Sequence, residues 1–160
     1  MPPSALDRTD RRILDTLQRD GRLPMTELAQ QVGLSTSPVT ERVRRLEREG
    51  VITGYHARID PAKLGRPLLV FVELTLSSKS GELFEKLRNE LMHEPRVLEC
   101  HLVSGRFDYL IKMRLSAMSE YRELLAQLLQ KIPVPAQSNS YVVMEEIKEG
   151  LTLPVDARAT

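Results

Sequence analysis

Apolar residues recur at helical spacing three times before residue 50, then give way to continuous β-branched runs. Ile13, Leu14 and Leu17 form one stripe, the pattern of a helix with a single buried face. The spacing predicts a helix over 7–20. Asp7 is its expected N-cap, and Asp10 lies in the first turn, where the helix dipole favours a carboxylate. Gly21 stands where a glycine ends a helix. Met25–Val32 predicts a second helix with Leu28, Ala29 and Val32 inward, ended by Gly33. Ser35 is the expected cap of a third helix that runs to about Glu49 and stops at Gly50. Val51–Ile59 reads as a strand-like wing, and LGRP at 64–67 as a hinge.

Beyond the hinge the pattern changes. LLVFVELTL at 68–76 is a strand by its β-branched content. Ser80–Met92 carries Leu83, Phe84, Leu87 and Leu91 at helical spacing. Arg96–Ser104 and Asp108–Leu115 predict two strands joined by a turn at Gly105-Arg106-Phe107. Met118–Lys131 predicts a helix, broken at Ile132-Pro133, and Ser138–Ile147 a last strand. The order βαββαβ is the ferredoxin-like split. The expected fold class is therefore α+β: a helix-turn-helix unit with a wing over 1–60, a linker over 61–67, a βαββαβ domain over 68–150 and a tail over 151–160. One sheet face of such a domain lacks a helix layer, so a second copy of the chain is expected to cover it.

Length and composition narrow the class. The 160 residues allow one medium or two small domains, with 41% hydrophobic residues but only 4% aromatic ones and no tryptophan, so the cores must be aliphatic. One cysteine, Cys100, excludes an internal disulfide framework. No apolar run reaches the ~18 residues of a membrane span, and MPPSALDRTDRR lacks the apolar stretch of a signal peptide. The expectation is a cytoplasmic protein with no membrane partner. Net charge is only +1, which argues against a whole-surface polyanion trap but permits a local basic patch.

Charge does change the reading of the third helix. Val39, Val43 and Leu46 share one side at ~100° per residue. The opposite side carries Ser37, Glu41, Arg44, Arg45 and Arg48, with Thr40 and Arg42 on the flanks. Arginine contacts guanine edges bidentately or clamps phosphates. Ser35, Ser37 and Thr40 lie at the helix entry, where a recognition helix meets bases, and Pro38 fits the first turn because the donor it lacks would be free there. The first 60 residues hold ten arginines, no lysine and nine acids, a net of +1. Pattern alone leaves a DNA-reading helix and a merely solvated mixed-charge helix about equally placed.

Other chemistry is thin. Cys100 and His101 are adjacent in a strand, where neighbours point to opposite faces, so they do not form a catalytic dyad. His56, His93 and His101 show no ligand spacing, no zinc pattern can be built around one cysteine, and Glu145 and Glu146 alternate faces. Neither a GxGxxG nor a Walker pattern is present. No catalytic residue, metal or cofactor is expected. In VSGRFDYL, Gly105 permits positive φ, free N–H groups of the turn can receive a carboxylate, and Asp108 can pair with an ammonium. The competing reading is a plain hairpin with an acidic cap.

LDRTDRRIL, DGRLPMTELAQQVGLS, ERVRRLEREGVITGY, LLVFVELTL, ECHLVSGRFDYLIK and YVVMEEIK, in this order from about Leu6 to Lys148, resemble the Lrp/AsnC, or feast/famine, regulators, in their leucine-responsive branch. The resemblance implies a sequence-specific transcriptional regulator, bacterial and nucleoid-associated, with a helix-turn-helix at about Thr26–Arg45. It implies operator DNA contacts from Ser35, Ser37, Pro38, Thr40, Glu41, Arg44, Arg45 and Arg48. It also implies an amino-acid effector held between neighbouring subunits near Gly105, Arg106, Phe107 and Asp108, with Met118, Tyr141, Val142 and Val143 from nearby elements. A homodimer and a higher assembly, a ring of dimers making an octamer, follow from it too. Arg106 departs from the family pattern, which often has an acid or amide there, and so puts leucine as the effector in question. Two rivals remain: a nucleoid-type DNA-organising protein without effector response, and an amino-acid enzyme or its regulatory subunit.

Overall fold

The computed structural model describes residues 6–78, 80–132 and 134–155. Two units emerge: residues up to Arg58 together with those from Lys148 onward, and Ile59–Ile147. The chain from Lys148 thus belongs with the N-terminal unit, where a domain ending at 150 and a coreless tail were expected. The reason is a reciprocal pair of hydrogen bonds: Gln18 Nε2 donates to the Leu153 carbonyl at 3.1 Å, and the Leu153 N–H donates to Gln18 Oε1 at 2.7 Å. Residues 156–160 lie outside the described residues.

The first unit contains α1 (Arg8–Arg19), α2 (Met25–Val32) and α3 (Thr36–Arg48). Asp7 caps α1 through a capping box, its Oδ1 accepting the Asp10 N–H at 2.8 Å while Asp10 Oδ2 accepts the Asp7 N–H at 3.2 Å. Gly33 ends α2 in the left-handed conformation, φ 74°, which glycine adopts without steric cost. Arg12 crosses to the same helix end, donating to the Gln31 and Val32 carbonyls at 2.7 and 3.2 Å; a cation there complements the helix dipole. Ile13, Leu28, Val39 and Leu46 are fully buried and form one core with Leu17, Ala29, Val32 and Val43.

The expected wing strand does not form. Residues 51–60 carry no strand. The Val51 and Ile52 N–H groups both donate to the Leu46 carbonyl, at 2.9 and 3.1 Å, so the chain folds back over the end of α3. Both side chains then pack on the helical core.

The second unit is a four-stranded antiparallel sheet in the order β2-β3-β1-β4, built from β1 (Leu68–Leu76), β2 (Val97–Leu102), β3 (Tyr109–Leu115) and β4 (Ala136–Val142). The helices α4 (Gly81–Met92) and α5 (Met118–Lys131) bury Leu83, Leu87, Leu91, Tyr121, Leu124 and Leu128 against one sheet face. That face supplies Val70, Val72, Leu74, Ile111, Met113 and Leu115, the even positions of β1 and the odd positions of β3, as strand alternation requires. β4 ends at Val142, earlier than Ile147. The Val143 N–H still donates to the Leu69 carbonyl at 3.0 Å, but β1 starts at Leu68 and offers later residues no ladder. Among the described residues, no helix is long and apolar enough to cross a membrane, and no cluster of three His, Cys, Asp or Glu side chains is placed to hold a metal ion.

Candidate nucleic-acid interface and effector loop

The third helix presents two chemically distinct sides. Val39, Val43 and Leu46 are buried in the core, while Ser35, Ser37, Pro38, Glu41, Arg44 and Arg48 are exposed. Ser35 is the N-cap residue by position but makes no side-chain capping bond, which leaves its hydroxyl available. Thr40 is half-buried, and its Oγ1 donates to the Thr36 carbonyl at 2.8 Å. Arg44 and Arg48 have no ion-pair partner among the described residues.

Arg45 behaves differently from its neighbours. Its side chain is only 30% exposed, and Nη2 lies 2.6 Å from Asp10 Oδ2. Arg42 meets the other oxygen of the same carboxylate, Nη1 to Asp10 Oδ1 at 2.8 Å, and also Asp7 Oδ2 at 2.5 Å. Asp10 is 1% exposed. A carboxylate buried this far is stable only when paired and hydrogen-bonded. Arg45 Nε is buried without a partner, so the side chain is enclosed by the unit and does not reach outward. The expectation that Arg45 points outward with Arg44 and Arg48 is corrected: residues three apart on α3 straddle the N-terminus of α1.

The pair also sets local electrostatics. Burial pushes Asp7 up, but the Asp10 N–H and the Arg42 contact outweigh it and hold Asp7 below the usual aspartate range. Hydrogen bonds to Asp7 and then Asp10 raise Arg42 further. Near the helix end, burial and then a 3.0 Å hydrogen bond to Glu47 Oε1 push the Tyr55 hydroxyl up to about 12. The sequence did hold a signal for this clamp: acids at 7 and 10 and arginines at 42 and 45, each three apart.

In the second unit the turn between β2 and β3 leaves Gly105 and Arg106 exposed and Phe107 half-buried. Gly105 has φ 150°, a conformation that L side chains rarely adopt. Asp108 is 5% exposed, and its Oδ2 accepts the Leu76 N–H at 2.8 Å while its own N–H donates to the Leu74 carbonyl at 2.9 Å. The carboxylate that was expected to meet a ligand ammonium instead fastens the turn to the end of β1. Tyr141 pairs with Phe71 on the open sheet face and donates to Glu73 Oε2 at 3.1 Å; Arg106 is close enough to lower the tyrosine hydroxyl slightly, against the larger upward pull of Glu73 and burial. Val142 pairs with Val70 and lies on the opposite face. Met118 opens α5 and is 44% exposed. Within one chain the expected effector residues therefore divide between two faces. A groove between α4 and β2, lined by Phe84, Leu91, Leu98, Cys100, Leu102 and Tyr109, was not expected from the sequence. Its only trace there is the alternation Leu98, Cys100, Leu102 on a strand that turns out to lie at the sheet edge.

Known proteins match both units. Residues 6–53 match the family described as winged helix-turn-helix DNA-binding, and residues 69–153 match the Lrp/AsnC ligand binding domain. The chain is 48% identical over 157 residues to leucine-responsive regulatory proteins of Klebsiella pneumoniae and Escherichia coli, covering 98% of this chain and 96% of each relative. A crystal structure of an AsnC family transcriptional regulator from Agrobacterium tumefaciens is 34% identical with TM-score 0.89, covering 96% of this chain and 99% of that one. A Neisseria meningitidis transcriptional regulator in complex with L-methionine is 32% identical with TM-score 0.89, covering 95% and 98%. The chain belongs to the Lrp/AsnC family of DNA-binding transcriptional regulators, with a winged helix-turn-helix domain followed by an amino-acid ligand-binding domain.

Proposed function

We propose that α3 reads operator DNA in the major groove and that an amino acid bound by the second unit changes that reading. One observation carries the first half. A helix with its other side locked in a core exposes Ser37, Glu41, Arg44 and Arg48 together, and the two arginines are free of protein partners among the described residues. Ser35, Pro38 and Thr40 belong to the entry of that helix, where contacts to phosphates fix register and contacts to bases give choice. Arg42 and Arg45 hold the helix in place from behind. Solved relatives support the second half: the Neisseria meningitidis regulator and a Mycobacterium tuberculosis feast or famine regulatory protein are both complexed with L-methionine.

Assembly is part of the proposal. The sheet face without helices leaves Tyr141 half-exposed beside Glu73, and a second copy is the natural cover for it. A dimer places two copies of α3 at half-sites about 34–36 Å apart, one turn of DNA. Gly105, Arg106 and Phe107 of one copy and Met118, Tyr141, Val142 and Val143 of neighbouring elements then form a boundary that a ring of dimers can share. The protein acts at the nucleoid in the cytoplasm, and its amino acid is a signal and is not turned over. Anisotropy titration of a labelled promoter fragment against the full chain, at fixed salt and with each amino acid in turn, tests both halves. Binding that responds to none of them leaves only a DNA-organising role.

A further inference from the structure

Glu41 is the one anion on the outward stripe of α3. Ser37, Glu41, Arg44 and Arg48 follow one another at intervals of four, three and four residues and are all exposed, the spacing of a single helix face. Arg44 and Arg45 lie three and four residues beyond Glu41, where a glutamate N-terminal to a cation ordinarily pairs with it. Neither does so. Arg45 is turned to Asp10 at 2.6 Å, and the Glu41 side chain has no ion pair or hydrogen bond among the described residues.

The surroundings of Glu41 exclude a phosphate seat. An open hollow of about 290 Å3 beside it is lined by Pro38, Arg42 and Arg45 as well. Two guanidinium groups would suit a phosphate, but both are already engaged: Arg42 meets Asp7 and Asp10, and Arg45 meets Asp10. Two cations and two carboxylates cancel, so Glu41 leaves the hollow with an uncompensated negative charge. That charge repels the DNA backbone. Its favourable place on DNA is opposite a hydrogen-bond donor, because a carboxylate offers acceptors alone.

The floor of the major groove presents two such donors, the N4 amino group of cytosine and the N6 amino group of adenine. Guanine presents acceptors, and thymine an acceptor and a methyl group. Adenine sets its N7 acceptor beside the amino group, where it opposes a carboxylate; cytosine does not. We infer that Glu41 selects a cytosine in each half-site by accepting a hydrogen bond from its N4 amino group. The inference rests on the proposal that α3 enters the major groove, and it assigns one of its side chains a base. Arg44 and Arg48 on the same stripe supply the positive charge that offsets the repulsion between Glu41 and the phosphates.

The test selects DNA duplexes from a pool with a randomised central region, at fixed salt, using the full-length protein, Glu41→Ala and Glu41→Gln. The parent should enrich a C·G pair at one fixed position of each half-site. Glu41→Ala should lose the preference at that position alone. Glu41→Gln should move it to adenine, whose N6 and N7 match a glutamine amide. In anisotropy titrations on the duplex the parent selects, changing that pair to T·A should weaken the parent about ten- to a hundredfold and leave the affinity of Glu41→Ala nearly unaffected. All three proteins should melt alike, since the side chain is exposed. Parent and Glu41→Ala choosing the same base at every position overturns the assignment and spares DNA reading by α3. A parent that enriches no sequence overturns both. Preference lost at a position where the parent takes any pair other than C·G overturns the choice of cytosine. A Glu41→Ala variant that binds every duplex more weakly, with its preferences intact, also overturns the inference, because the glutamate then sets overall affinity and reads no base.

Discussion

Arg45 of α3 is bound at 2.6 Å to Asp10, a carboxylate 1% exposed in the first turn of α1. Arg42 holds the other oxygen of the same carboxylate at 2.8 Å. One buried anion thus fixes two cations about one turn apart on α3 and ties that helix to the start of α1. Asp10→Ala is expected to destabilise the first unit by about 1–3 kcal/mol, because it strips two half-buried guanidinium groups of their partner. Hydrogen exchange of the α3 amides measures this; unchanged protection would mean the clamp contributes nothing.

Arg44 and Arg45 are adjacent but should fail differently. Arg44→Ala is expected to weaken specific DNA binding by about 1–3 kcal/mol if it reads a base, or to lower the salt slope by about one if it binds a phosphate. Its folding stability should not change. Arg45→Ala should lose stability first and DNA affinity as a result. Paired urea melts and salt-dependent anisotropy titrations separate the two, and a stable Arg45→Ala variant with normal melting but poor binding would return Arg45 to the reading face.

Acid should loosen the same corner. The Asp7 carboxylate is held below its ordinary value, about 3.9 in an unfolded chain, by the Asp10 N–H and Arg42 against the opposing effect of burial. A depressed native value contributes stability that is complete above the unfolded value and is lost as pH falls through the lower native one. Asp7→Asn should therefore cost stability at neutral pH, and progressively less as pH falls below the unfolded value and through the lower native one. Melting temperatures of the two proteins across that range should converge; parallel curves would exclude the linkage.

Asp108 and Arg106 sit two residues apart and should also separate. Asp108→Asn weakens the bond that ties the turn to Leu76, and a loss of about 1–2 kcal/mol in unfolding is expected. Arg106 is exposed, so Arg106→Asp should leave unfolding within ±0.5 kcal/mol of the parent and alter which amino acids shift the melting temperature. Identical shifts for both proteins across the amino acids would remove Arg106 from the effector boundary.

Much of this architecture is legible in the residues themselves. Met25–Val32, Leu68–Leu76 and Met118–Lys131 have the bounds that periodicity and punctuating glycines or prolines give them. What failed were features that depend on neighbours distant in sequence. VITGYHARI has strand-like composition, but Val51 and Ile52 are captured by the Leu46 carbonyl and the helical core. A helical wheel places Arg45 outside α3 correctly, yet it carries no information that α1 lies across that flank. Asp108 looked available because a turn acid usually is, whereas the end of β1 presents it with an N–H. The α4–β2 groove follows from β2 being at the edge of the sheet, a matter of strand order that no local pattern fixes.

The central claim is that one chain joins DNA reading on α3 to amino-acid sensing in the second unit. The most direct test is the affinity of the full-length protein for a promoter fragment, measured by anisotropy at constant salt with and without the amino acid that binds it by calorimetry. The predicted result is a change in affinity or in the number of chains bound when the amino acid is present, on top of a DNA affinity that Arg44→Ala weakens. A protein that binds both ligands with the same affinity whether or not the other is present would contradict the account.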